Sequence, residues 1–358
     1  VVRDLRCALD NLWAQSRLPG QGEGEIFSIP ANEDKLDDAA RAEATLKRLQ
    51  QELADGLLGQ PQAARLMLER LYMQHWGLSS GNGPMGFLLM GPPSTGKSLM
   101  VDILVKALSD RPCLTLNMSS FQSENEAFGL TGLRRGYTNA GPGRLTGFVH
   151  ENPRAVIVFD KIEDAHAKVQ DILVPMLSEG YLTDEYGFGT DTKTWNRDTS
   201  RVSFADTIVI FTTTLGHTVY DRPDFISLYN TTPHAAIAQL RAALSSSDQP
   251  KRQISPHLGS YMGMLSLLPF RPLSMDVYLS LARRRLDNMS SSLRRDGVEL
   301  VVADTNRLAW LLVTATGPAF NASELAREAD APLRRAVVSD AMSAATAAAQ
   351  NTKADGDT

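Results

Sequence analysis

Apolar residues recur along this chain with two distinct periods. From Asp34 to Ala54 a charged, alanine-rich stretch carries Leu46, Leu49 and Leu53 at helical spacing, which predicts a helix with one buried stripe. Asp55 and Gly56 end it. Pro61 then sits near the first turn of a second helix reaching about Met73, where its missing N–H is harmless. Met85–Met90, Cys113–Met118 and Thr207–Thr213 read as strands, Ala155–Phe159 is a continuous apolar run expected of a central parallel strand, and Leu267–Phe270 is a last strand. Leu99, Ile103, Leu104, Ala107 and Leu108 mark a helix after the first strand. Ile162, Ala165, Val169, Ile172, Leu173 and Leu177 mark another after the third. A short helix over Val1–Asp10 and a linker over Leu18–Asn32 precede all of this. Helices over Met275–Leu293, Asn306–Thr316 and Ala331–Thr346, with a short strand VELVV, follow it, and the tail after Ala347 is polar and expected to be disordered.

The polar intervals are equally informative. Ser119–Gly147 reads as a loop with Tyr137 at a glycine-flanked tip, where an aromatic either grips a partner or folds back as a local plug. GYLTD at 180–184 reads as a turn and a short extended piece. Glu185–Asp206 is a polar insertion whose Trp195, Arg197 and Arg201 either contact a partner or decorate a loop. Asp221–Pro256 is irregular apart from a helix over Pro233–Leu244.

Strands alternating with helices imply a parallel sheet between helical layers, with any ligand site at the carboxyl ends of the strands. The first strand–helix junction reads GPPSTGKS, residues 91–98. A strand, a glycine-bracketed turn and a helix start in that order form a phosphate-binding loop. Backbone N–H groups between Gly91 and Gly96 face phosphate oxygens, Lys97 reaches the β- and γ-phosphates, and Ser98 offers a hydroxyl to Mg²⁺. Asp160 ends the third strand and so falls beside that metal position.

Composition adds bounds. A length of 358 residues permits two domains plus extensions, and a net charge of -5 gives no general attraction to nucleic acid or anionic lipid. Two cysteines far apart indicate neither a disulfide framework nor a zinc site and suit a reducing, cytoplasmic setting. No apolar run approaches membrane-spanning length, and the chain begins with Val1 rather than methionine, as a processed product or fragment does.

Several motifs in order resemble the AAA+ ATPase modules of the Clp/HSP100 unfoldases, especially the second module of ClpB-like disaggregases. LLGQPQAA is similar to the family's opening motif, and GPPSTGKS to its phosphate loop. RRGYTNAGPGRLTG resembles the substrate-gripping loop and VIVFDKIEDAH the acidic-strand motif, with GYLTD after it. IFTTTLG resembles the first sensor strand, FRPL the start of the small domain, and PLRRAV the second sensor helix. The resemblance implies an α/β fold: a large domain over 55–270 with a parallel sheet between helical layers, and a small, mainly helical lid domain over 271–346. Residues 1–54 form an extension, linker and helix, and 347–358 a tail. It further implies ATP or ADP with Mg²⁺, held by Leu58, Gly91, Pro92, Pro93, Ser94, Thr95, Gly96, Lys97, Ser98, Leu99 and Asp160, with Ser98 and Asp160 on the metal. Tyr137 corresponds to the aromatic that contacts a protein client, and the family's rings imply a homo- or hetero-oligomeric ring.

The departures fall on hydrolysis. Lys161 stands where the family has the glutamate that activates water, and an ammonium accepts no proton. Thr214 stands at the first sensor's asparagine, Gly263 at the arginine finger, and Ala331 at the second sensor's arginine. Glu163, two residues past Lys161, is poorly placed to substitute. The expected molecule is a nucleotide-binding module with impaired hydrolysis that acts through protein–protein contacts. The alternatives are a working unfoldase and a purely structural module.

Overall fold

The protein is described from a computed structural model. The described residues are 33–76, 78, 83–137, 140–188, 200–244, 252–295 and 304–315. The expected elements over Val1–Asp10, VELVV and Ala331–Thr346, the linker at 18–32 and the polar tail lie outside them. The chain divides into two compact units, Val1–Ala42 and Glu43–Thr358. The described part of the first is the beginning of helix α1 (Glu33–Gly56).

In the second unit, α1 continues and is followed by α2 (Pro61–His75), β1 (Met85–Met90), α3 (Lys97–Ala107) and β2 (Cys113–Asn117). Then come α4 (Ala127–Thr131), α5 (Arg144–Glu151), β3 (Val156–Asp160), α6 (Ala167–Ile172) and α7 (Val174–Ser178). A two-stranded antiparallel ribbon follows, of β4 (Tyr181–Thr183) and β5 (Arg201–Ser203). After it are β6 (Ile208–Thr213), α8 (Pro223–Thr231), α9 (Pro233–Leu244), α10 (Pro256–Met262), β7 (Ser266–Pro269), α11 (Met275–Arg295) and α12 (Thr305–Ala315).

The main sheet has five parallel strands in the order β2-β3-β6-β1-β7. All six residues of β1 and all six of β6 are buried, as the unbroken apolar runs require. Successive side chains go to opposite faces, so each strand feeds two cores. Phe87, Leu89, Val156, Val158, Ile208 and Ile210 pack with Leu46, Leu49 and Leu53 of α1, Met67 of α2 and Leu104 of α3. Leu88, Met90, Ile157, Phe159, Val209 and Phe211 face the other layer, which includes Val169, Leu240 and Leu258. Within it Phe159 and Phe211 stack with ring centroids 4.9 Å apart. A third, smaller core joins Tyr278, Ala282 and Leu286 of α11 to Ala309, Leu312 and Val313 of α12.

Three local readings change. The apolar series from Ile162 to Leu177 is not one helix. Lys161 takes left-handed backbone (φ 57°), a 3₁₀ turn covers Ile162–Asp164, His166 caps α6 by accepting from the Lys168 N–H, and Pro175 sits in the first turn of α7. Inside the polar Ser119–Gly147 stretch, α4 forms and α5 begins, the latter burying Leu145 and Val149. In the stretch read as irregular, Pro223 opens α8.

Candidate nucleotide cleft and its surroundings

The GPPSTGKS turn folds as a loop between β1 and α3 because two glycines permit it. A Cβ on Gly91 would stand 2.1 Å from the Phe270 carbonyl oxygen, and Gly96, with φ 103°, occupies left-handed backbone at the start of α3. No side chain caps that helix, so its first N–H groups face the loop. The Lys97 side chain turns back into the loop and is 9% exposed. Its ammonium donates to the carbonyls of Gly91 (2.7 Å) and Pro92 (2.6 Å). Burial pushes that ammonium down to about 8, and the nearby carboxylates of Glu163 and Asp160 oppose the shift.

The loop borders a cleft of about 1030 Å³. Of the residues expected to hold nucleotide, Leu58, Pro93, Ser94, Thr95, Gly96, Lys97, Ser98, Leu99 and Asp160 line it. Gly91 and Pro92 lie beneath, where their carbonyls hold Lys97. Lys161 and Thr214 line the cleft too. Asp160 is fixed by the Thr212 hydroxyl (2.7 Å), and the same hydroxyl oxygen accepts from the Lys161 N–H at 2.9 Å.

Behind this edge Glu163 is 1% exposed. Its Oε1 accepts from both the N–H (2.8 Å) and the hydroxyl (2.7 Å) of Thr214, while its Oε2 has no hydrogen-bond partner among the described residues. Glu163 does not line the cleft, and the Thr214 hydroxyl proton is committed to it. Gly263 follows α10 far along the chain, and its carbonyl accepts from Arg241 (2.7 Å), which also holds the carbonyls of Met262 and Leu265. Arg241 thus braces that turn. Ala331 lies outside the described residues.

Several lining residues escaped the motif reading. Leu281, Arg284, Arg285 and Asn288 come from one face of α11, and Glu52, Asp55 and Lys106 from α1 and α3. The 281/284/285/288 spacing was visible as one helix face, but nothing in it announces that the face meets a cleft. Gln60 was present in LLGQP without an assigned task. It is fully buried, donates to the carbonyls of Thr95 (3.1 Å) and Arg271 (2.8 Å), and accepts from the Arg271 N–H (3.1 Å).

Tyr137 stands apart from the cleft at 66% exposure, which removes the plug reading. The loop bearing it is clamped to the segment after β4. Arg134 pairs with Glu185 at 2.6 Å, and Arg135 lies 4.6 Å above the Tyr186 ring. Asp184 is completely buried. One of its oxygens accepts from the Gly143 N–H (2.9 Å) and the Thr146 hydroxyl, the other from the N–H groups of Tyr186 (2.8 Å) and Gly187 (3.0 Å). Arg201 is a strand residue packed over the Tyr181 ring, whereas Trp195 and Arg197 lie outside the described residues.

Comparison with known proteins agrees with this geometry. Residues 84–246 match the family model for the AAA domain (Cdc48 subfamily). Chaperone protein ClpB of Tropheryma whipplei (strain TW08/27) is 26% identical over 284 residues, covering 79% of this chain and 37% of that protein. ClpB of Staphylococcus aureus (strain COL) is 26% identical over 309 residues, covering 84% and 33%. The family model, the ClpB relatives and the fold together support a Clp/HSP100-type AAA+ module. Its fold matches a closed-state structure of Hsp104 with ATPγS and FITC casein at a TM-score of 0.60 and 19% identity, over 83% of this chain and 47% of that one. A probable ClpB 1 of Chlorobaculum tepidum, 27% identical over 283 residues, is covered to 60% of its length and this chain to 78%, so the module spans only part of each of these relatives. AAA+ ATPases as a family take nucleotide with Mg²⁺. Among the described residues no helix is long and apolar enough to cross a membrane, and no cluster of three or more His, Cys, Asp or Glu suggests a metal site of its own.

Proposed function

We propose that this module binds ATP or ADP in the cleft and hydrolyses it slowly or not at all, using the bound nucleotide as a structural ligand or switch in contacts with other proteins. The observation that carries the reading is the state of Lys97: a buried ammonium, desolvated and held only by two carbonyls of its own loop. A triphosphate would replace those carbonyls with anionic oxygens that fit a buried cation better. Gly91, Pro92, Pro93, Ser94, Thr95, Gly96 and the open N-terminus of α3 supply backbone groups, and Leu58 and Leu99 border the cleft. Mg²⁺ arriving with the nucleotide would neutralise phosphate charge, held by the Ser98 hydroxyl and the Asp160 carboxylate.

The groups needed for cleavage are replaced. Lys161 has no lone pair to accept a proton from water. Thr214 gives its hydroxyl proton to Glu163, and the turn at Gly263 offers a backbone carbonyl held by Arg241 rather than an outgoing guanidinium. Such a guanidinium is worth about three to five powers of ten in phosphoryl transfer. Output would pass to protein partners in the cytoplasm, as a homo- or hetero-oligomeric ring or a scaffold, with the exposed Tyr137 as a contact.

The test is nucleotide affinity and phosphate release by the purified chain and by Lys97→Ala. The expected result is binding that Lys97→Ala weakens at least tenfold, with phosphate release at background in both. Brisk release lost in Lys97→Ala would establish the working unfoldase instead. Equal, negligible binding by both proteins would establish the structural module.

A further inference from the structure

We infer that Lys161 is a specificity residue for the terminal phosphate: its ammonium makes the cleft prefer a nucleoside triphosphate over the diphosphate, without help from a divalent cation. The inference rests on the reading that the cleft takes a nucleotide.

Lys161 is exposed and lines the cleft together with Lys97, Ser98 and Asp160. Its backbone explains why. With φ 57° it leaves the strand direction at Asp160, and the following 3₁₀ turn buries Ile162 and Glu163 while Lys161 stays outside. Ser94 and Lys161 are the non-glycine residues with left-handed backbone among the described residues, and both line the cleft. Strained backbone of this kind persists where its surroundings hold it, here through the bond from the Lys161 N–H to Thr212.

The obvious alternative is that Lys161 turns back to neutralise Glu163 or Asp164. Lys161 makes neither pair among the described residues: Asp164 is engaged elsewhere, and so is one oxygen of Glu163, while the other is buried and unpartnered. Asp164 accepts from Arg252 (2.7 Å) and from the Ser119 hydroxyl (2.8 Å), and Glu163 receives both donors of Thr214. No ion pair of Lys161 forms among the described residues, though it lies close enough to Asp164 to help hold that carboxyl below its ordinary range, after the hydrogen bonds from Arg252 and Ser119. An ammonium with no ion pair among the described residues therefore stands on the wall of the cleft that Lys97, Ser98 and Asp160 also line. The phosphate group that a triphosphate has and a diphosphate lacks brings its extra negative charge to this wall. Lys161 meets that charge as a cation the chain itself supplies, which is why a metal is not required.

Calorimetric titration of the full chain with ADP and with the non-hydrolysable analogue AMPPNP, in EDTA and in Mg²⁺, decides the matter. The expected result is at least a tenfold preference for AMPPNP in EDTA. Lys161→Gln should reduce that preference to under threefold while changing ADP affinity less than twofold, and Lys161→Arg should restore it. Thermal unfolding of each variant confirms that it folds. A preference unchanged in Lys161→Gln, or one appearing in the parent chain only with Mg²⁺, overturns the inference and leaves nucleotide binding standing. Absence of binding of both ADP and AMPPNP by the parent chain, with and without Mg²⁺, removes the underlying reading as well.

Discussion

At the scale of single residues, Lys97 sets the chemistry of the cleft before any ligand arrives. An ammonium held to about 8 in the folded chain, against an ordinary 10.5, gives up its proton more readily there than in water. The unfolded chain binds more protons between those values, so this group makes stability rise with pH across that window. Below about 8 the buried charge costs on the order of 3 kcal/mol net, after the opposing pull of Glu163 and Asp160, with Lys161 exposed on the wall of the same cleft. The midpoint of thermal unfolding, measured from pH 8 to 10.5 in the parent chain and in Lys97→Met, should show a slope in the first that shrinks in the second. Identical profiles would mean that Lys97 is not desolvated. Saturating nucleotide should also flatten the parent profile, because phosphate oxygens stabilise the charged form.

At the scale of elements, what was legible followed from period and punctuation. β1, β3 and β6 were readable because strands buried on both faces leave unbroken apolar runs, and α3 because a phosphate loop must end in a helix. The eight residues of α5 are too few to display a helical period, and Gly147 within them argues locally against a helix. The single helix read from Ile162 to Leu177 failed because apolar spacing survives interruption, although Pro175 was a visible sign of a break. Asp184 gave no signal in GYLTD, since four donors converge on it only after the chain has folded. It ties the base of the Tyr137 loop to the start of the 185–206 insertion. Asp184→Ala would strand buried N–H groups of Gly143, Tyr186 and Gly187, a loss of roughly 2–4 kcal/mol. Hydrogen exchange should quicken at 132–143 and 185–188 and leave the β1 and β6 amides protected. Uniform loss of protection would instead mark Asp184 as a determinant of the whole fold.

At the scale of the whole Glu43–Thr358 unit, the question is how occupancy of the phosphate loop reaches the helices beyond β7. Gln60 offers a short route. Its amide bridges the Thr95 carbonyl, inside the loop, to both backbone groups of Arg271, where the chain leaves β7 for α11. Arg271 returns a bond to the Gly59 carbonyl at 3.1 Å, and Gly59 packs so closely on Leu273 and Val277 that a Cβ there would sit 3.0–3.1 Å from them. If phosphate oxygens took Lys97 from the Gly91 and Pro92 carbonyls, Thr95 would be drawn along, because its hydroxyl also bonds the Pro92 carbonyl at 2.9 Å. On this account Gln60 would be what makes the start of α11 follow the loop. Gln60→Leu keeps the buried volume and removes all three bonds, at a cost of about 2–4 kcal/mol read from the denaturant midpoint. The sharper readout is the exchange rate of the Arg271 amide with and without ADP. Nucleotide should slow it in the parent chain and leave it unaltered in Gln60→Leu, even where that variant still binds ADP within a few-fold of the parent affinity. If the Arg271 response survived in Gln60→Leu, coupling would have to run through the cleft face of α11 at Leu281, Arg284 and Asn288, which the nucleotide would contact directly.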